Sequence, residues 1–101
     1  MDAKKQELLI PPLASSDPKA REMLRAWIAH EGLHCSLNVG SWGDKEEIGW
    51  GILLSDAARH VADALFREKG VKQVDTLREI RRVFNDELDD PTSETKGEFV
   101  Q

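Results

Sequence analysis

At 101 residues and 11.4 kDa, the chain has room for one domain and no second. Its 40% hydrophobic and 33% charged residues are those of a folded chain rather than a disordered one. The formal charge of -5 removes any general electrostatic pull toward nucleic acid or an anionic membrane surface. Cys35 is the only cysteine, so an intrachain disulfide is excluded and a reducing, cytoplasmic location is expected. Near the N-terminus the longest apolar run is Leu8–Ile10, too short for a signal core, and no stretch reaches the roughly 20 apolar residues of a membrane span.

Residues 1–7 are polar and expected to fray. Leu8–Ile10 runs into Pro11-Pro12, which predicts an extended segment, either a short edge strand or a strap across the core. Asp17-Pro18 has the pattern of a helix start, a capping carboxylate followed by proline at the first helical position. The spacing of Met23, Leu24, Trp27 and Ile28 then predicts a helix over 18–31, stopped by Gly32. Cys35, Leu37 and Val39 alternate with His34, Ser36 and Asn38, the period of a half-buried strand over 33–39.

Residues 40–44 read as a turn, and Asp44 with Glu47 resembles a capping box opening the central helix. That helix, 48–69, is the longest periodic segment, and its apolar arc is wide enough to be covered on more than one side. Gly49 and Gly51 in its opening turns imply either a later start, near Ile52, or another backbone packed tightly there. Gly70 closes it. A last helix begins between Val71 and Thr76, with Thr76 and Glu79 offering a second capping box and Val74, Leu77, Ile80, Phe84 and Leu88 as its stripe. Residues 89–101 read as a polar acidic tail, loose apart from a candidate anchor at Phe99-Val100.

The run Trp50-Gly51-Ile52-Leu53-Leu54-x-Asp56-x-Ala58-Arg59-His60-Val61-Ala62 has a recognisable wording. With Leu9-Ile10-Pro11-Pro12, Leu24-Arg25-x-Trp27 and Ser36-Leu37, it resembles a small family of uncharacterised bacterial proteins of this length, classed as a domain of unknown function. The resemblance spans residues 8–88 and implies a bacterial source and a compact α+β fold. It implies no catalytic residues.

Asp56, Arg59, His60 and Asp63 stand at i, i+3, i+4 and i+7 on the central helix and so share one face. Asp56 could orient His60 as a base, or the Asp-x-x-x-His pair could hold a metal; the plainer reading is a lattice of ion pairs, Asp56–Arg59, Arg59–Asp63 and Asp63–Arg67. No nucleophile motif accompanies them. His30, His34 and Cys35 are close in sequence, but a lone cysteine is usually buried as a small apolar residue, and no metal or other cofactor is expected. Trp27, Trp42 and Trp50 supply core bulk, with Trp42 in its glycine-flanked turn the one to remain partly open. Residues 67–82 carry six basic against three acidic side chains, a face that could meet nucleic acid or simply be solvated.

Together these readings give an α+β fold of three helices packed with a short two- or three-stranded antiparallel sheet, in a single domain over residues 8–88. The function expected is a non-enzymatic interaction or accessory domain acting as a homodimer. Its interface is placed on the edge of the 33–39 strand and the open side of the central helix, with Trp42 as anchor. A small ligand-binding protein or hydrolase using the Asp56 and His60 face is the alternative, and a weak nucleic-acid accessory the third.

Overall fold

The computed structural model describes residues 6–92, 94 and 96–101. In chain order the elements are α1 (Pro12–Ser15), β1 (Leu24–Ala29), β2 (Gly32–Leu37), α2 (Glu46–Lys69), α3 (Gln73–Asp89) and β3 (Phe99–Val100). The class is α+β, with a three-stranded sheet in the order β1-β2-β3.

The segment expected as a first helix is a turn and a strand instead. Asp17 does accept a backbone N–H, from Lys19 at 2.8 Å, but this closes a local turn rather than a helix start. Leu24, Ala26 and Ile28 also satisfy a period of two, and β1 pairs antiparallel with β2 across a two-residue loop, from Leu24 opposite Leu37 to Ala29 opposite Gly32. Both loop residues, His30 (φ 49) and Glu31 (φ 62), lie in the left-handed region, as a hairpin turn matched to strand twist requires. Strand pairing outweighs their unfavourable dihedrals and the helical spacing of Met23, Leu24, Trp27 and Ile28.

The sheet is mixed rather than purely antiparallel, because β3 runs parallel to β2, with Cys35 opposite Phe99 and Ser36 opposite Val100. Backbone bonds from Leu33 N–H to Lys96 O (3.3 Å) and from Cys35 N–H to Glu98 O (3.0 Å) dock this segment. The approach is so close that a Cβ at Gly32 would stand 2.9 Å from the Lys96 carbonyl carbon. With β1 on one side and β3 on the other, β2 is the central strand, and the expected use of its edge in an interface is corrected: the open edges belong to β1 and β3. Register places Leu24, Ala26, Ile28, Leu33, Cys35, Leu37 and Phe99 on one face, which is wholly apolar. Arg25, Trp27, His34 and Ser36 occupy the other.

Residues 6–11 form no strand and cover no core: Leu8 and Leu9 are almost fully exposed, and the tie to β1 is an ion pair of Glu7 with Arg25 at 3.1 Å. Residues 1–5, where fraying was expected, lie outside the described residues.

α2 starts at Glu46, earlier than a glycine-limited start at Ile52. Its N-cap is Lys45, in a left-handed conformation with no side-chain cap, so the Asp44–Glu47 box is not used. α3 starts at Gln73 behind Lys72, again without a side-chain cap. Thr76, expected to cap it, is instead buried inside the helix with its hydroxyl unpartnered, and Glu79 pairs with Arg82. α2 and α3 form an antiparallel hairpin around Ala62, the only fully buried apolar residue among those described.

Among the described residues, no Cα of a strand lies within 8 Å of a Cα of a helix. Sheet and helical hairpin are thus two separate layers joined by residues 38–45. The Cα radius of gyration is 15.8 Å, against about 13 Å for a compact chain of this length.

Candidate functional site

The side chains that fix residues 38–45 onto α2 build a polar cluster centred on Glu46. Glu46, in the first turn, turns its carboxylate back over the loop. It accepts the Gly40 N–H at 2.9 and 3.1 Å, the Trp42 N–H at 3.2 Å and the Trp50 indole Nε1–H at 2.9 Å. These donors hold its carboxyl below the ordinary value of 4.5, the Trp50 indole most, then the Gly40 and Trp42 amides. The Trp42 and Trp50 rings meet edge to face, with centroids 5.4 Å apart and planes at 61°. Arg21 donates to the Ser41 hydroxyl at 3.0 Å, adding a tie from the segment before β1.

Gly49 explains itself in this setting. A Cβ there would land on the Trp42 ring, so the close neighbour is an indole side chain and not the backbone expected from the glycines. Gly51, two residues on, faces open space.

Beside the indoles runs a shallow apolar groove of about 590 Å³, lined by Trp42, Gly49, Ile52, Leu53, Asp56, Ala57 and His60. Of the sequence candidates, Trp42, Asp56 and His60 therefore come together. Trp50 stands behind Trp42 as its support. Arg59 does not join them: it lines a second groove, of about 310 Å³, between α2 and α3, with Leu54, Ala58, Leu77, Ile80 and Phe84. Asp63 belongs to neither and pairs with Arg67 at 3.1 Å. Of the three ion pairs in the expected lattice only this one forms among the described residues, and none of Asp56, Arg59 or His60 has a side-chain hydrogen bond there. Sequence reasoning passed over Glu46. The signal was present in its i,i+4 spacing from Trp50 and in the glycines flanking Trp42.

His30 sits in the β-hairpin turn, while His34 on β2 has its Nε2 3.0 Å from the Ala29 carbonyl oxygen. On α3, Arg78 pairs with Asp75, and Arg82 with Glu79 and Asp86, so much of the basic surface is neutralised in place. No helix among the described residues is long and apolar enough to cross a membrane.

A family model described as a domain of unknown function, DUF5076, matches residues 7–92. The chain belongs to this family. No curated protein matches it. A solved structure similar to this DUF5076 chain is described as that of a candidate pyruvate dehydrogenase from the photosynthetic bacterium Rhodopseudomonas palustrus. The two are 35% identical over 100% of each chain, with a TM-score of 0.66. The function of the DUF5076 chain is unknown from these comparisons.

What the arrangement offers chemically is binding surface. Its charged groups are either satisfied locally, as Glu46 is, or open to water, and the space around them is apolar.

Proposed function

We propose that the chain is an interaction or accessory domain that works as a homodimer, without catalytic chemistry of its own. The observation that carries this reading is the unfinished core. Among the described residues nineteen large hydrophobic side chains are exposed, Ile28 at 82%, Leu88 at 69% and Phe99 at 62% among them. Isolated apolar side chains on a surface are ordinary, but a chain that covers almost none of its own needs a partner to do so. The total accessible surface, 9271 Å², compares with roughly 5,800 Å² for a compact monomer of 11.4 kDa. Size-exclusion chromatography with light scattering tests the reading: a species of twice 11.4 kDa is expected. A chain that stays at 11.4 kDa up to high concentration removes it. Trp42 remains the proposed anchor of any contact along α2; Trp42→Ala that leaves fold and mass unchanged takes that role away.

A second reading is favoured by the groove that joins Trp42 to Asp56 and His60. Its volume of about 590 Å³ lies in the range of small-molecule sites, roughly 300–1,000 Å³. Binding of a small aromatic or apolar ligand there would perturb the Trp42 emission and the His60 ring resonances together. A fragment screen by NMR in which no compound shifts the His60 resonances removes this reading.

A further inference from the structure

The homodimer reading leaves open what covers what. Two apolar surfaces are left partly open by the rest of the chain, the second of them bordering the groove between α2 and α3. One is the uncharged face of the sheet, where Ile28, Leu33 and Phe99 are 82%, 49% and 62% exposed. The other lies on α2, where Leu54 and Val61 are seven residues apart, hence on one side of the helix, and 42% and 47% exposed. In an α+β domain these are the two surfaces that ordinarily pack on each other. Here the connecting loop keeps them apart. The Glu46 carboxylate binds the amides of Gly40 and Trp42 to the first turn of α2, and the Trp42 ring seats on Gly49. The loop is thereby committed to the helix it enters and supplies no slack for the sheet to fold back.

We propose that a second copy of this chain supplies both covers by exchange: the apolar sheet face of each protomer packs on the Leu54–Val61 side of the other's helical hairpin. This rests on the homodimer reading. Area favours the same occupant. The surface in excess of a compact monomer is roughly 3,500 Å² per chain, part of it from the extended segment 6–11, whereas a standard interface needs only about 800 Å² from each partner. Charge agrees on the sheet side, whose face carries no ionisable side chain except the Cys35 thiol, so covering it desolvates no carboxylate or cation of the sheet. One two-fold axis generates both contacts at once. Packing sheet on sheet about the same axis would cover only the sheets, leaving Leu54 and Val61 in water.

The test is complementation between two variants of the full chain, Ile28→Asp on the sheet and Val61→Lys on α2, each followed by light scattering and far-UV circular dichroism. Each position is exposed in the protomer, so each variant should keep the fold. Each alone should raise the dimer Kd about a hundredfold or more, because both contacts of its dimer then bury an unpaired charge. An equimolar mixture should recover the dimer. In the mixed pair one contact is wild type, and the other sets Asp against Lys. If Val61→Lys loses its helical signal, Leu54→Lys takes its place. Two monomeric variants that stay monomeric when mixed would overturn the exchange, and a Val61→Lys chain that still dimerises like the wild type would overturn it in favour of sheet on sheet, with the homodimer intact. An Ile28→Asp chain that still dimerises like the wild type would overturn it too. A wild-type chain monomeric at every concentration would instead remove the homodimer reading itself.

Discussion

At its N-terminal end α2 is tied down by one carboxylate and two indoles; at its C-terminal end it stops on Gly70, beside exposed ion pairs. The first end depends on shape and on several hydrogen bonds meeting at one group. The second depends on a left-handed residue, Gly70 (φ 71), whose N–H reaches the Phe66 carbonyl at 2.9 Å, and on side chains already in water. The contrast teaches where this chain is rigid. Its joint between sheet and helices is fixed by groups that cannot be exchanged freely, while the helical hairpin beyond it tolerates change and takes its stability from whatever packs on it.

The sharpest way to break that contrast is Gly49→Ala, which drives a methyl into the Trp42 ring. The expected loss is about 1–3 kcal/mol, read as a lower denaturant midpoint with reduced near-UV ellipticity from the tryptophans. Acid should then loosen the joint before the hairpin. The Glu46 carboxyl is held below its ordinary 4.5 when folded, so its contribution is present above that value and lost as pH falls through the lower, folded-state one. Near-UV ellipticity should fall over that window in the wild type and be reduced and insensitive there in Glu46→Gln. An acid transition of the tryptophan signal that survives in Glu46→Gln would detach it from this carboxylate.

Gly51→Ala sharpens the comparison from the other side, since nothing stands within 4 Å of the added methyl. It should stabilise the chain by up to about 1 kcal/mol in thermal or chemical melts. The smallest effect belongs to Arg67→Ala near the C-terminal end, whose partner Asp63 is itself 41% exposed. A change within about 0.5 kcal/mol is expected, and a larger one would mean that this end carries more than surface electrostatics.

The same division governs how much could be read from residues alone. α2 and α3 were legible because their apolar positions repeat at helical steps and Gly70 ends the first of them. β2 was legible from its alternation. β1 was not, since Met23, Leu24, Trp27 and Ile28 fit a helix as well as Leu24, Ala26 and Ile28 fit a strand, and Asp17-Pro18 begins turns as readily as helices. What decides between them is a partner strand two residues away, reached through His30 and Glu31, which lack the Asn-Gly or Asp-Gly signature of such a turn. Of the candidate site, the joining of Trp42 with Asp56 and His60 was within reach of the helical spacing only once Trp42 was placed. That placement rests on Glu46, whose bonds to the Gly40 and Trp42 amides leave little mark on the sequence, so that its i,i+4 spacing from Trp50 and the glycines around Trp42 were its traces.

The parallel pairing of β3 with β2 carries a consequence for the order in which the molecule assembles. β1 with β2, and α2 with α3, join neighbours in the chain and can form in isolation from each other. Cys35 meets Phe99 only after the whole helical hairpin has been laid between them. That closure has the longest loop and the fewest bonds, so it should be the last step of folding and the first lost in native-state hydrogen exchange. Until it happens the Leu33 and Cys35 amides, which later donate to Lys96 and Glu98, are an open strand edge. The chain is therefore most exposed to mispairing in the interval between helix formation and the docking of Phe99 and Val100.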